Sequence, residues 1–169
     1  MKKLVLIYIL VVGVSFGNNV SQAIKENCGS VPLSQCIDFY KKQCGAGKMI
    51  HCGFAGDMLY ARHDIYEARR YYKTACDKID LNSIDTIKTA DGQILKADLQ
   101  GKKNAKAKFC YNLVIVSKDL YLKNPKYNPK QDEQMLIDAI KIACDLGHSG
   151  ACMGLRNAEQ IARQRRDDK

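Results

Sequence analysis

The sequence predicts an all-α protein, a short α-solenoid of helix-turn-helix repeats that disulfide bonds staple together. Three observations predict this fold: eight cysteines of which six lie at intervals of eight, turn residues inside several of these intervals, and three similar helix ends that each finish at a cysteine. Hydrophobic residues make up 46% of the 169 residues and charged residues 27%. Such a composition is typical of a globular chain and argues against wholesale disorder.

The amino terminus has the pattern of a secretory signal peptide. Lys2 and Lys3 precede an apolar run over residues 4–16. At about 13 residues this run is shorter than the roughly 20 that a membrane-spanning helix needs. We therefore expect removal of residues 1–17, with cleavage as late as residue 23 as one alternative and an uncleaved membrane anchor as another. Export predicts a secreted or periplasmic protein with no stable membrane span after signal cleavage.

The cysteines favour disulfide bonds, because an exported chain meets oxidising conditions and the cysteine count is even. The eight positions are Cys28, Cys36, Cys44, Cys52, Cys76, Cys110, Cys144 and Cys152. Residues eight apart on one continuous helix are separated by about 12 Å along its axis, whereas a disulfide needs Cα atoms within about 7 Å. A bridge across such an interval therefore requires the chain to reverse direction.

Turn residues indicate which of these intervals reverse. Glycines lie inside three of them, whereas the interval from Cys36 to Cys44 contains no helix breaker. The predicted pairs are Cys28–Cys36, Cys44–Cys52, Cys144–Cys152 and, by elimination, Cys76–Cys110. Metal binding is the rival interpretation, but the sequence has no closely spaced C-x2-C pair. We therefore predict no metal site and no cofactor.

The repeated unit is a helix, a glycine turn and a second helix. Amphipathic helices are predicted to end at Cys44, Cys76 and Cys144, and spacings of roughly 30 to 45 residues between such ends indicate an α-solenoid. Aromatic residues before these cysteines are expected in the core. The remaining predicted boundaries are partner helices at 52–61, 105–120 and 151–163, a repeat domain over 24–163, and a frayed charged tail at 164–169.

Capping residues support the helix boundaries. Asp64 with Glu67 is a capping-box pattern that opens the second of the three helices. Asn128 followed by Pro129 opens the third helix. Gly147 is expected to close that third helix in a left-handed conformation.

An insertion at about 79–103 separates Cys76 from Cys110 and interrupts the repeats. We expect either a β-hairpin that turns at Asp91-Gly92 or a disordered basic loop. Long loops often carry function, so the insertion is the first candidate for partner contact. The net charge of +9 favours acidic surfaces as partners, and nucleic acid is disfavoured because the chain is exported. The candidate contact residues are Lys102, Lys103, Lys106 and Lys108.

Two segments resemble a known family. The segment Ala143–Leu155, which reads ACDLGHSGACMGL, and the segment Tyr71–Cys76 resemble the repeats of the bacterial cysteine-rich Sel-one-like proteins. Residues 110–113 match well, whereas residues 28–52 match only in a degenerate form. The resemblance implies a right-handed, tetratricopeptide-like superhelix of helix pairs, exported to the periplasm or the medium. Members are labelled penicillin-binding or β-lactamase proteins, and others are host-facing or protein-binding factors.

Two classes of function are therefore expected. The first is a module that binds a protein or peptide of a host or of the cell envelope. The alternative, from the resemblance alone, is a β-lactamase that binds and slowly hydrolyses β-lactams, with a peptidoglycan fragment as a related ligand.

Catalytic motifs do not support the second class. No serine is followed three residues later by lysine, as the S-x-x-K motif of serine β-lactamases requires. The histidines, which are His51, His63 and His148, lack metal-ligand spacing. His51 and His148 lie inside cysteine intervals and are expected at the surface of turns. We assign no catalytic residue, and the sequence leaves open whether the protein is an enzyme.

Overall fold

The computed structural model describes residues 24–83, 85–124 and 132–167. A helical segment at 24–28 is followed by α1 (Leu33–Gly45), α2 (Met49–Ala61), α3 (Ile65–Lys78), β1 (Asp85–Lys88), β2 (Ile94–Ala97), α4 (Leu99–Lys123), α5 (Glu133–Asp145) and α6 (Ser149–Asp167). The predicted helical class is therefore confirmed, with one small β-hairpin in the insertion. The predicted signal peptide and both of its cleavage sites lie outside the described residues.

All four disulfides that the spacing predicts are present. They are Cys28–Cys36, Cys44–Cys52, Cys76–Cys110 and Cys144–Cys152, and no described cysteine is free. Three of them enclose a turn between a helix end and the next helix, and Cys76–Cys110 joins α3 to α4 across the insertion. Four disulfides indicate that the chain folds in an oxidising environment.

The turns inside two of these disulfides are the same motif. Gly47 and Gly147 have φ values of +87° and +92°, in the left-handed region where glycine carries no Cβ penalty. After each glycine, the next backbone N–H donates to a carbonyl five residues back: Lys48 to Gln43 at 3.1 Å, and His148 to Ala143 at 2.9 Å. This is the Schellman termination of a helix, and it reverses the chain so that cysteines eight apart can meet.

The cap predicted for α3 forms in part. Asp64 Oδ1 accepts a hydrogen bond from the backbone N–H of Glu67 at 3.4 Å. The Glu67 carboxylate pairs with Arg70 instead of turning back to the helix start, so the reciprocal half of the capping box is not made. The cap predicted at Asn128 and Pro129 lies outside the described residues, and the described part of α5 begins at Glu133.

Three helices extend beyond their predicted bounds. Helix α2 begins at 49 and α6 at 149, because each starts directly after its turn. Helix α4 begins at 99 because the Asp98 carboxylate accepts from the Gly101 N–H at 2.6 Å, a side-chain N-cap that the sequence reading overlooked. The insertion therefore ends at 98, not at 103. Helix α6 continues to 167, so residues 164–167 are helical and not frayed.

Of the two alternatives predicted for the insertion, the structure shows the β-hairpin. Strands β1 and β2 pair antiparallel, and Gly92 has a φ of +92° in the turn beside Asp91. Two contacts hold the hairpin against the helices: the Ala90 N–H donates to the Asn27 carbonyl at 3.2 Å, and His51 Nε2 lies 3.0 Å from the Lys88 carbonyl. Since a carbonyl oxygen accepts, His51 carries its proton on Nε2.

The core lies along α2, which packs against α1, α3 and α4. Tyr40 and Tyr72 are 0% and 2% exposed, so the prediction that aromatic residues before the cysteines are core is confirmed for them, whereas Phe39 and Tyr71 are only partly buried against the core. Two glycines of α2 permit close packing: a Cβ at Gly53 would lie 2.1 Å from the Phe109 ring, and one at Gly56 would lie 2.7 Å from the Tyr72 ring. Consecutive helices also pack as neighbours from α3 to α6.

Candidate functional site

The predicted lysine cluster does not form a surface patch. Lys102 is 1% exposed, and its Nζ donates to the Asp80 carbonyl and to Ser83 Oγ, each at 3.3 Å. Lys106 Nζ donates to the Ile79 carbonyl at 2.9 Å. Lys102 as a partner contact is therefore wrong, since the ammonium points into the protein.

The end of α3 explains this arrangement. Helix α3 ends at Lys78, so its partial negative charge and its last unpaired carbonyls lie beside residues 79 and 80. The amino-terminal turns of α4 bring two ammonium groups to this end. Lys106 therefore caps α3 at the carbonyl of its C-cap residue, Ile79, and Lys102 binds the segment directly after the helix, so these contacts account for half of the predicted cluster.

The other two lysines of the cluster lie apart from this cap. Lys108 Nζ is 2.7 Å from Asp57 Oδ2, and its side chain is 42% exposed. Lys103 is half-buried on α4. Lys102 and Lys106 thus meet at the end of α3 and Lys108 lies at Asp57, so the structure does not bring the four lysines together in one patch.

A buried carboxylate forms the centre of a polar cluster. We define the Asp57 cluster as Asp57, Tyr72, Lys108 and Asn112. Asp57, which is 3% exposed, receives hydrogen bonds on Oδ1 from the Tyr72 hydroxyl at 2.7 Å and from Asn112 Nδ2 at 3.2 Å, in addition to the Lys108 ammonium on Oδ2. The cluster ties α2, α3 and α4 together at one point.

The contacts of the Asp57 cluster stabilise the packing of three helices and are not arranged for proton transfer. Burial, and then the charge of Asp57, raise the pKa of Tyr72 well above its ordinary value. The phenol therefore stays protonated and acts as a donor, while both carboxylate oxygens are already occupied. A buried charge with this many partners stabilises one arrangement of helices, because losing any partner leaves a polar group unpaired.

Sequence reasoning missed Asp57, although a signal was present. Asp57 is the one charged residue within α2, whose other residues are mostly apolar. A charge in such a helix is seldom buried without a partner. Nothing in the sequence indicated that Lys108, more than 50 residues away, is that partner.

Two further polar contacts join the helices. The Tyr60 hydroxyl donates to Asp119 Oδ2 at 2.5 Å and links α2 to α4, and burial together with this carboxylate raises the pKa of Tyr60. Arg69 donates from Nε to Ser117 Oγ at 3.1 Å and pairs through a terminal nitrogen with Asp132 at 2.6 Å. Arg69 thus links α3, α4 and the residue before α5.

The histidine predictions are wrong for His51 and need revision for His148. His51 is 1% exposed on α2 and lies among the aromatic rings of Phe39, Tyr40 and Phe54. His148 does lie at the turn before α6, but it is half-buried because its ring stacks on Tyr111 with centroids 4.2 Å apart. Local cysteine spacing identified the turn and gave no information on what packs against it.

An open groove lies where the hairpin turn meets the amino-terminal helical segment. It has a volume of about 930 Å³ and is lined by Lys25, Glu26, Gly29, Ser30, Asp91 and Gln93. The Asp91 carboxylate accepts from the Thr89 hydroxyl at 2.5 Å, and Gln93 Nε2 donates to it at 3.0 Å. These bonds shape the turn, and the hydrogen bond of Thr89 lowers the pKa of Asp91. The groove is the candidate ligand site, and the insertion supplies one of its walls.

Comparison with known proteins does not extend this picture. No family model, curated protein or solved structure significantly matches the chain. Among residues 24–83, 85–124 and 132–167, no group of three or more histidine, cysteine, aspartate or glutamate side chains is arranged to hold a metal ion. In the same part of the chain, no helix combines the length and the apolar character that crossing a bilayer demands.

Proposed function

We propose that this protein is an exported helical repeat protein that binds a protein or peptide partner in the periplasm or outside the cell. The observation that carries the proposal is the way the insertion hairpin is held rigidly on disulfide-linked helices to form one wall of an open groove. Rigid walls reduce the entropy that a binding surface loses when it captures a flexible peptide. The solenoid arrangement that we propose for the helices is supported by the shared Schellman turns and by the packing of consecutive helices.

The groove combines groups suited to a peptide. The Lys25 ammonium and the carboxylates of Glu26 and Asp91 recognise opposite charges, and Gln93 has an amide that both donates and accepts. Without the two lysines of the predicted signal peptide, 25 basic and 18 acidic residues leave a net charge of +7, which attracts acidic partners over a longer range. The groove itself carries one cation and two carboxylates, so we expect a polar peptide with charges of both signs, whose acidic group lies at Lys25 and whose net charge is negative.

A peptide-binding assay tests the proposal. Fluorescence anisotropy would follow labelled acidic, neutral and basic peptides of equal length as oxidised protein is added at low and at physiological salt. We expect saturable binding of the acidic peptides, weakened by salt because charges at a surface are screened. Reduced and alkylated protein should lose this binding, since the disulfides hold the helices that carry the groove.

Matched variants locate the site. Lys25→Glu should weaken binding of the acidic peptides severalfold, by like-charge repulsion at the groove. Lys141→Glu introduces the same charge change at an exposed position of α5 and should leave the short-range contact intact. Equal loss in both variants would indicate a general charge effect and would remove the groove from the proposal.

Hydrolysis of a β-lactam is the outcome that would overturn the binding function. Purified oxidised protein would be incubated with the chromogenic substrate nitrocefin, beside a mock preparation and an unfolded sample. We expect no turnover above the mock preparation. Turnover that unfolding abolishes, combined with absence of saturable peptide binding, would make the protein an enzyme.

A further inference from the structure

The turn before α6 contains a histidine that closes the start of the helix. Helix α6 begins at Ser149, so His148 is its N-cap residue and Ala151 is the third residue of the helix. His148 Nδ1 accepts a hydrogen bond from the Ala151 N–H at 3.2 Å, and the His148 carbonyl shares the same N–H at 3.0 Å. An N-cap side chain that accepts from the third residue is the usual way to satisfy a helix start, but asparagine, aspartate, serine and threonine are the usual residues.

The geometry requires the neutral form of this histidine. Nδ1 can accept a hydrogen bond only when it carries no proton. In the imidazolium form, Nδ1 would direct an N–H at the N–H of Ala151 and would place a positive charge at the positive end of the helix dipole. Both effects oppose protonation at this position.

Among the residues that the structure describes, no carboxylate makes a hydrogen bond or ion pair with the ring. From α4 the facing group is Tyr111, whose pKa is itself raised by burial, so its phenol stays uncharged. The nearest charged residue along the chain is Asp145, which is exposed at the end of α5. Stacking on an aromatic ring favours a cation modestly, but Gly150 also lies against the ring and the site is half-buried.

We propose that His148 is an acid-sensitive clip, which holds the start of α6 against α4 when neutral and releases it when protonated. The clip lies inside the loop that Cys144 and Cys152 close. Release therefore loosens the first turn of α6 without detaching the helix from the chain. Acidification would expose the Tyr111 ring, on which the His148 ring stacks.

The direction of the pH dependence follows from burial. Burial lowers the pKa of His148 below its ordinary value of 6.5 in the folded protein. The unfolded or opened chain therefore binds the proton more readily, so the contribution of the clip to stability is complete above pH 6.5. It declines as the pH falls through the lower, folded pKa. Carboxylates titrate mostly at lower pH, so the interval between pH 7.5 and about pH 5 isolates the histidine.

Nuclear magnetic resonance tests the clip in the oxidised full chain. Titration of the His148 ring should give a pKa below the ordinary value of 6.5. Hydrogen-exchange protection of the Ala151 amide should fall roughly fivefold between pH 7.5 and 5, which corresponds to the loss of one N-cap. In His148→Asn, the amide oxygen retains an acceptor but does not titrate, so the protection factor should not change with pH.

Either of two results would overturn the proposal. A pKa for His148 at or above the ordinary value of 6.5 would show that the neutral form is not favoured, and this measurement needs no variant. Equal pH dependence of Ala151 protection in the wild-type protein and in His148→Asn would show that another group controls the turn. The peptide-binding assay tests the proposed function and not the clip. The failure of one proposal can therefore be distinguished from the failure of the other.

Discussion

The two ends of the described chain are held in different ways. In the amino-terminal body, which comprises residues 24–124, the disulfides Cys28–Cys36 and Cys76–Cys110 are at most 1% exposed, and the Asp57 cluster is buried between three helices. In the carboxy-terminal pair, which comprises α5 and α6, both cysteines of the disulfide are partly exposed. That pair is joined to α4 by apolar packing and by the Tyr111–His148 stack, and to α3 by the ion pair between Asp132 and Arg69.

From this difference we expect that the same disulfide-closed turn has a different local stability at the two ends. Both ends have a Schellman turn closed by a disulfide across eight residues. The amino-terminal body adds buried polar contacts and the hairpin anchors, which must all break together when the body opens. The carboxy-terminal pair lacks buried contacts of that kind in the described residues, so we expect it to open locally at a lower free energy.

The largest expected loss of stability comes from removing one disulfide from each region. Cys76→Ala with Cys110→Ala opens a loop with a sequence separation of 34, and the chain-entropy model predicts a loss of roughly 4 kcal/mol in the free energy of unfolding. Cys144→Ala with Cys152→Ala opens a separation of 8, for which the same model predicts roughly 2.5 kcal/mol. Urea unfolding of oxidised protein measures both. A larger loss from the second pair would contradict the comparison.

The Asp57 cluster offers the next test. Asp57→Ala leaves the Tyr72 hydroxyl and the Asn112 amide buried without their acceptor, so we expect a loss of about 3 kcal/mol in unfolding free energy. Asp38→Ala removes an exposed carboxylate from α1 and should change stability by less than about 0.5 kcal/mol. Urea unfolding, monitored by circular dichroism, measures the unfolding free energy of both variants. Similar small effects in both variants would mean that the cluster does not hold the body together.

Substitution of a lysine at the carboxyl end of α3 has the smallest expected effect on stability. Lys102→Met keeps the length of the side chain but removes the donor to the Asp80 carbonyl, so we expect a loss of about 1 kcal/mol. Lys103→Met alters the neighbouring half-buried residue, for which we expect no comparable loss. Thermal unfolding of both variants at pH 7.5 provides the measurement. If Lys102→Met is neutral and weakens binding of an acidic peptide, the surface role predicted from the sequence would be restored.

Local patterns were sufficient to predict much of the fold. The intervals of eight and their glycines predicted three disulfides, because a tight turn is set by the residues within it. The Asp64 cap and the left-handed Gly147 are local in the same sense. The fourth disulfide followed by elimination once the others were paired.

The candidate sites were less accessible to sequence reasoning. Lys102 looked like a surface residue, because lysine usually is one and its acceptors are some 20 residues away in the chain. His51 looked like a turn residue, because the reading did not extend α2 back to Met49. The groove joins residues near 25 to residues near 91, and no pattern in the sequence relates these two stretches.

The sequence by itself determined the helical class, the location of the turns and three of the disulfides, because each depends on residues within about ten positions of one another, and the fourth pair, Cys76–Cys110, remained as the last two cysteines. Tertiary structure alone decided which charges are buried, since the environment of Asp57 and of Lys102 is created by helices that meet only after folding. It also decided the protonation state that His148 needs, because the Tyr111 ring and the first turn of α6 converge on that imidazole from different parts of the chain.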